Sequence, residues 1–250
     1  MFRWGAEEEY IPGTLADSIR SVRSLQKHRS RAKETDPVLP VSEADFRAVL
    51  PLVSRQVAAM AELQWLTGMR PGEVLQMRWA DIEKPAKAGV WIYRPHRQKT
   101  QHLGKDRVIP LGPRAQKVLS KFKKLDAKAA IFCPADADSE FRARKRATRK
   151  SPMTPSHLRR HESAMESPKQ AHQPTYDTRA YARAIARACK KAGVPHWSLN
   201  QLRHSAGTRI RRASGLDAAR ALLGHSSPST AEIYAELDLD QAARLVEKFG

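Results

Sequence analysis

The sequence predicts an α+β fold that is mainly helical and contains a small antiparallel sheet. Apolar residues recur at helical spacing in most segments, for example at Phe46, Val49 and Val53, and that spacing is typical of an amphipathic helix. Residues 90–93 and 107–111 read instead as strands, because they are rich in β-branched and aromatic side chains. The residues between them are expected to form the connecting hairpin, so the two strands should be antiparallel.

The first 37 residues are predicted to form a short N-terminal helix and a linker, and residues 38–250 to form one domain. Residues 26–35 are polar and basic and have no apolar pattern, which indicates a linker. Ser42 precedes acidic residues near the start of the domain, so it is a good N-cap for the first helix there.

A rigid break between two buried helices is predicted around Arg70. Residues 57–66 are mostly apolar and should form a buried helix, which Gly68 ends because glycine readily takes a positive φ. Pro71 then starts the next helix, since proline is favoured at the first helical position. A break of this kind is a good place to fix a functional side chain, so Arg70 is a candidate site residue.

Beyond the hairpin, residues 113–122 predict an amphipathic helix and residues 130–133 a short strand. Residues 134–174 differ, because proline, serine and histidine replace the apolar pattern. From 141 to 161 this segment contains eight Lys or Arg residues and no acid. It is predicted to be a flexible basic insertion, which either follows a DNA backbone or is simply solvated.

The rest of the chain is predicted to be helical. In residues 176–192, Ala180, Ala184, Ile185 and Ala188 lie on one helical face. Four further helices are expected over residues 199–212, 216–223, 229–236 and 241–249. The second half of the domain is therefore mostly helix, and the sheet precedes it.

The charge of the chain favours a nucleic-acid partner. It contains 45 Lys and Arg against 26 Asp and Glu, a formal net charge of +19, and cations that contact phosphates release condensed counterions. A merely basic soluble protein is the other interpretation; no long amphipathic basic helix points to a membrane surface.

Cys133 and Cys189 form no disulfide framework and fit a reducing compartment. With no apolar run long enough to cross a membrane, we expect a cytoplasmic, nucleoid-associated protein.

Arginine and tyrosine side chains could together bind and attack a phosphodiester. Arg70 and Arg203 stand among apolar neighbours, and a planar guanidinium can match two phosphate oxygens at once. Each could instead be a structural arginine paired with a buried acid such as Glu73. Tyrosine is a poor nucleophile at its usual pKa of about 10, but neighbouring cations that stabilise the phenolate would activate Tyr234, nine positions after His225.

Four blocks of the sequence resemble the motifs of the tyrosine recombinases, the phage integrase family. Residues 67–74 (TGMRPGEV) resemble the first arginine motif and residues 202–204 (LRH) the second. Residues 223–234, LGHSSPST followed by IY, resemble the nucleophile block, and residues 99–111 look like the hairpin that carries the family's catalytic lysine. The blocks keep the family's order over about residues 38–248, which implies an integrase-type catalytic domain.

The resemblance implies a role for each candidate residue. Tyr234 would attack the scissile phosphate and form a 3′-phosphotyrosyl link, while Arg70 and Arg203 clamp the non-bridging oxygens. Lys99 would protonate the departing 5′ oxygen, and His225 would hydrogen-bond a non-bridging oxygen or the tyrosine. Because the covalent link keeps the bond energy, the resemblance implies that neither ATP nor a metal cofactor is required.

Further residues are expected to support this site. Glu73 is expected to orient Arg70, and His204 is the ordinary family residue after the second arginine. The implied partner is double-stranded DNA, bound by a homotetramer that exchanges its C-terminal helices, and not a membrane. The side chains expected to contact DNA elsewhere are Arg97, Lys105, Arg142, Arg144, Lys145 and Arg146.

Two departures from the family pattern support a second hypothesis. Asn200 stands where the family usually has a histidine, and asparagine can donate a hydrogen bond but cannot transfer a proton at neutral pH. The family usually has a helical core-binding domain ahead of the catalytic domain, where this sequence has residues 1–37. The chain is therefore either a site-specific recombinase that integrates or excises mobile DNA, or a truncated, weak or silent DNA-binding remnant. A type IB topoisomerase uses similar chemistry, but residues 224–225 are closer to a recombinase.

Overall fold

The chain divides into two compact units, residues 1–38 and 39–250. The computed structural model describes residues 2–23, 29, 33, 38–85, 89–97, 107–166 and 173–224. The smaller unit contains two helices, α1 (Phe2–Glu7) and α2 (Gly13–Ser21), where the sequence predicts one. Within it the rings of Trp4 and Tyr10 lie 5.6 Å apart. The predicted linker falls almost entirely outside the described residues.

The larger unit is mainly helical, as the sequence predicts. Its described helices are α3 (Glu43–Val49), α4 (Arg55–Thr67), α5 (Pro71–Leu75), α6 (Pro113–Leu119), α7 (Pro134–Ala147), α8 (Pro155–Glu166), α9 (Thr178–Ala192) and α10 (Leu199–Leu223). The Ser42 hydroxyl accepts a hydrogen bond from the Asp45 amide at 3.0 Å. This contact confirms Ser42 as the N-cap of α3, because it satisfies an amide that has no partner within the helix.

A three-stranded antiparallel sheet lies between α5 and α6 in the chain. It contains β1 (Ile82–Glu83), β2 (Trp91–Tyr93) and β3 (Ile109–Leu111) in that order, and Tyr93 lies opposite Ile109 in the register. The pairing of β2 with β3 confirms the two predicted strands and their direction. Strand β1 escaped prediction because two residues are too few to show an alternating pattern.

The strand predicted over residues 130–133 is wrong. Ala130 takes part only in an isolated bridge. Ile131 and Phe132 are fully buried, and the Phe132 ring packs edge-on against Phe122 with centroids 5.2 Å apart. The apolar run is therefore explained by burial in the core, which a short run cannot distinguish from a strand.

Helix α4 is the central element of the core. It packs against α10 and α6, and nine of its 13 residues are buried. Phe46 from α3 stacks on Trp65 of α4, with ring centroids 4.4 Å apart. Because buried side chains surround α4, its C-terminal end is a firm support for the residues that follow.

The basic segment 134–174, predicted to be a flexible insertion, contains two helices. Pro134 opens α7 at the first helical position, and the basic residues of its last turn favour the negative end of the helix dipole. Glu140 forms an ion pair with Arg55 at the start of α4. The sequence prediction missed both helices. No residue of α7 is buried, so α7 has no apolar stripe to reveal it.

Helix α10 bends at Gly215, which has φ 84° and ψ 177°. This conformation is readily accessible only to glycine, and it divides α10 where the sequence predicts two helices. The helices predicted over residues 229–236 and 241–249 lie outside the described residues. Within the described ranges, no helix is both long and apolar enough to span a bilayer.

Candidate active site

The chain between α4 and α5 forms a defined break. Gly68 takes φ 66° and ends α4, as predicted. Below it, the Gln64 side chain donates from Nε2 to the Met69 carbonyl at 3.1 Å and accepts from the Tyr181 hydroxyl at 2.9 Å. These groups are buried, so their mutual hydrogen bonds specify one conformation of the break. Arg70 follows as the N-cap residue of α5.

Arg70 and Glu73 form the ion pair that the sequence predicts. Arg70 Nη1 donates to Glu73 Oε1 at 3.0 Å, and the Arg70 amide donates to Oε2 at 2.7 Å. The Glu73 side chain is 6% exposed, whereas the Arg70 side chain is 34% exposed. A buried carboxylate thus holds a guanidinium that still reaches solvent, which suits an arginine that binds an anion.

Arg203, on α10, lies against the same break. Its Nη1 donates to the Gly68 carbonyl at 2.7 Å, and its Nη2 donates to the Leu223 carbonyl at 2.6 Å. The residue is 6% exposed. The structure therefore brings the two predicted arginines together, because Gly68 is only two positions before Arg70.

Gly68 also lets α10 approach α4 closely. A Cβ atom at this position would lie 2.6 Å from Leu223 Cδ2 and 3.3 Å from Ala206 Cβ. Carbon atoms in favourable contact are about 3.5–4.0 Å apart, so a side chain here would push α10 away. Glycine is therefore required at the break both for its positive φ and for this packing.

A third arginine, Arg107, is buried beside Glu73. Its Nε lies 3.4 Å from Glu73 Oε1, which makes an ion pair rather than a well-formed hydrogen bond. Its Nη1 donates to the Leu222 carbonyl at 3.1 Å. Burial lowers the pKa of Arg107; the charge of Glu73 opposes this shift and that of Arg70 adds to it. One carboxylate between two guanidiniums leaves this cluster with one net positive charge.

Asn200 and His204 lie on the same part of α10 as Arg203. Asn200 is in the first turn, one turn before Arg203, and it is exposed. Its amide is accessible to a ligand at the position where the family usually has a histidine. His204 is half-buried, and burial together with the Arg203 charge lowers its pKa. The His204 imidazole is therefore neutral near pH 7.

The chain leaves the described structure twice beside this cluster. Four predicted site residues lie outside the described ranges: Lys99, Lys105, His225 and Tyr234. Arg97, near the start of the hairpin tip, is held by the residue that caps α5, because Gln76 Nε2 donates to the Arg97 carbonyl at 2.6 Å. At the other exit, a Cβ on Gly224 would lie 2.5 Å from Arg107 Nη1. Both undescribed segments therefore begin next to residues of the site.

The remaining predicted DNA contacts belong to a different region of the surface. They are exposed on α7, at Arg142, Arg144, Lys145 and Arg146. Helix α7 is tied to the start of α4 by the ion pair between Glu140 and Arg55, whereas Arg70 follows the end of α4. The 13 residues of α4 rise 1.5 Å each, so its two ends are about 18 Å apart.

Sequence reasoning missed Arg107. The chain has 45 Lys and Arg residues, and nothing in the sequence marks this one as buried except its position directly before an apolar strand. Its partners, Glu73 and Leu222, are far away in sequence. In the described part of the chain, no group of three or more His, Cys, Asp or Glu residues could hold a metal ion.

Comparison with known proteins points to one family. The model of the phage integrase family matches residues 51–240. The chain is 28% identical over 230 residues to tyrosine recombinase XerC of Bifidobacterium longum subsp. infantis, which covers 92% of this chain and 54% of that relative. XerC of Neisseria meningitidis serogroup B is 44% identical over 54 residues, 21% of this chain and 18% of the relative. The chain spans about half the length of the first curated relatives it matches.

Solved structures support the fold. The crystal structure of XerA recombinase matches with a TM-score of 0.54 and 16% identity, over 99% of this chain and 79% of that one. A Tn1549 transposon integrase in complex with transposon right end DNA matches with a TM-score of 0.57 and 16% identity, over 98% and 82%. The mainly helical domain with a small antiparallel sheet is thus the fold of integrase catalytic domains. Since the family model covers well over half of the sequence, the chain belongs to the phage integrase family.

Proposed function

We propose that this chain is a site-specific DNA recombinase that cleaves and rejoins DNA through a 3′-phosphotyrosyl intermediate. The convergence of Arg70 and Arg203 at one break is the observation that carries this proposal. Two guanidiniums can bind the non-bridging oxygens of one phosphate and stabilise the charge that develops there in the transition state. Membership of the phage integrase family supports the same chemistry.

The reaction requires a nucleophile and an acid in addition to the two arginines. We assign the nucleophile to Tyr234, which gives its proton to solvent water as its oxygen forms the bond to phosphorus. We assign the acid to Lys99, which protonates the departing 5′ oxygen as the P–O bond breaks. His225 and Asn200 would donate hydrogen bonds to the phosphate. Attack by the 5′ hydroxyl of another strand reverses these steps and releases the tyrosine, so no cofactor is consumed.

Double-stranded DNA is the proposed partner. The net charge of +19 supports a polyanionic ligand. We propose that four protomers act together on DNA and exchange residues 240–250, and that the protein works where its substrate is, in the cytoplasm and with the nucleoid.

Covalent capture tests the proposal directly. The chain is incubated with a pool of nicked duplexes of randomised sequence, in which cleavage near the nick releases a short strand and traps the adduct. Denaturing gels should show a protein–DNA adduct, and sequencing its DNA gives the target. Tyr234→Phe should abolish the adduct, whereas Tyr10→Phe should not, because Tyr10 is 74% exposed and lies in the smaller unit.

The same experiment separates the alternatives. Firm binding of DNA without any adduct from the unaltered chain would identify a silent DNA-binding remnant, in keeping with Asn200. An adduct that persists in Tyr234→Phe would assign the nucleophile to another residue.

A further inference from the structure

We propose that Arg107 is a positioning residue, which fixes Arg70 and the segment that leads to Tyr234 relative to each other. This inference rests on the proposed function. Arg107 contacts both parts with one guanidinium. Its Nε faces Glu73, the carboxylate that holds Arg70, and its Nη1 donates to the carbonyl of Leu222, three positions before His225.

Two arginines hold the C-terminal end of α10. The last carbonyls of a helix have no partners within the helix, and cations stabilise that end. Arg203 donates to the Leu223 carbonyl from α10 itself, whereas Arg107 donates to the Leu222 carbonyl from the residues before β3. Arg107 therefore links the sheet to the end of the helix that bears Arg203.

The backbone at Gly224 is fitted to the Arg107 guanidinium. Gly224 has φ 65°, and a Cβ atom there would lie 2.5 Å from Arg107 Nη1 and 3.4 Å from its Cζ. The guanidinium thus packs directly on the backbone one residue before His225. Any shift of Arg107 changes the path by which the chain enters the nucleophile block.

The burial of Arg107 is not explained by charge balance. Glu73 already accepts two hydrogen bonds from Arg70, so a second cation is not needed to neutralise it. Arg107 is 7% exposed, and among the described residues its Nε and Nη2 have no hydrogen-bond partner. A buried, incompletely bonded cation is unfavourable compared with a well-packed apolar side chain. Such local conflicts with stability are expected at functional sites.

Arg107→Met is the most informative variant, because it removes the guanidinium and keeps an unbranched apolar side chain that replaces the aliphatic part of arginine. We expect the single-turnover rate of adduct formation at saturating DNA to fall about 100-fold, the size of effect produced by misplacing reacting groups by about 1 Å. The Kd for DNA and the melting temperature should change little. Arg107→Lys should recover only part of the rate, since one ammonium group cannot span both contacts.

Arg78→Met is the matched control. Arg78 forms an ion pair with Asp81 at 2.8 Å and is partly buried in the larger unit, with 28% of its side chain exposed, but in the described structure it makes no hydrogen bond or ion pair with Glu73 or α10. Its loss should leave the cleavage rate within about twofold.

A second readout is amide hydrogen exchange at Gly224, which should be about tenfold faster in Arg107→Met because the end of α10 loses an anchor.

The outcomes are distinct. If the unaltered chain forms no adduct, the proposed function fails, and the exchange rate at Gly224 still tests the anchoring by Arg107. If the unaltered chain forms the adduct and Arg107→Met cleaves equally fast, or loses DNA binding or thermal stability in proportion to cleavage, the positioning role is overturned. Unchanged exchange at Gly224 would overturn it as well.

Discussion

Asn200 is the residue at which this site departs most clearly from its family. It is exposed in the first turn of α10, one turn before Arg203, and an amide there can donate to a phosphate but cannot accept the tyrosine proton. We predict that Asn200→His raises the single-turnover cleavage rate on the order of a hundredfold, the usual effect of a positioned general base. The increase in cleavage rate over the unaltered chain should itself become larger as the pH rises through about 6.5, because only the neutral imidazole accepts a proton.

Asn200→Ala is the control for this substitution. It removes the hydrogen bond without adding a base, so it should lower the rate and leave its pH dependence unchanged. If Asn200→His folds normally and cleaves no faster than the unaltered chain, the site has adapted to asparagine, and proton removal does not limit the reaction.

At the scale of single residues, the sequence predicts the contacts and turns that residues close together in the chain determine. The pairing of Arg70 with Glu73 spans three positions and the turn at Gly68 follows from one residue, so both are visible without a structure. Arg107 was invisible because its contacts bring together residues 34 and 115 positions apart, at Glu73 and Leu222. Whether an arginine is buried is a tertiary property that its type does not reveal.

The contact between α4 and α10 is the element-level feature that sets the site. Gly68 has φ 66°, and a Cβ there would overlap Leu223. We predict that Gly68→Ala lowers the free energy of unfolding by about 2 kcal/mol, from backbone strain plus overpacking. For a chain of this size that corresponds to a fall of about 4–8 °C in the melting temperature, measurable by thermal unfolding.

Gly193→Ala separates the two contributions. Gly193 caps α9 with a similar φ of 69°, but a Cβ there meets nothing within 4 Å. Gly193→Ala should therefore lower the free energy of unfolding only by the backbone strain, about 1 kcal/mol. If Gly68→Ala and Gly193→Ala lower the free energy of unfolding equally, Leu223 moves aside without cost, and the close approach of α10 does not require glycine at position 68.

Elements with a clear apolar pattern could be predicted from the sequence, whereas a two-residue strand and a helix without buried residues could not. The sequence predicts α4 because nine of its 13 residues are buried and most of these are apolar, whereas α7 has no buried residue and its sequence predicts a flexible insertion instead. Strand β1 pairs through only two residues, Ile82 and Glu83. The sequence therefore does not predict that a third strand, β1, pairs with the hairpin strand β2, and only the folded structure shows it.

Across the whole molecule, the positive charge has two roles that can be measured apart. The cluster around Arg70 holds the reacting phosphate in our proposal. The four cations of α7 lie on a helix that is tied to the start of α4 through Glu140 and Arg55, whereas Arg70 follows the end of α4, about 18 Å along that helix. We expect these cations to add affinity by contacting backbone phosphates away from the phosphate that is cleaved.

We therefore predict that replacing Arg142, Arg144, Lys145 and Arg146 together by glutamine weakens DNA binding without slowing cleavage of saturated DNA. Each phosphate contact contributes about 0.9 to the slope of log K against log salt, so the slope should become shallower by about 2 to 4 units. The matched control replaces Arg179, Arg183, Arg187 and Lys190, four exposed cations of α9, and removes the same formal charge. Equal slopes for the two variants would show that net charge, and not the surface of α7, attracts the DNA. A slower cleavage rate at saturation in the α7 variant would instead place α7 in the catalytic step.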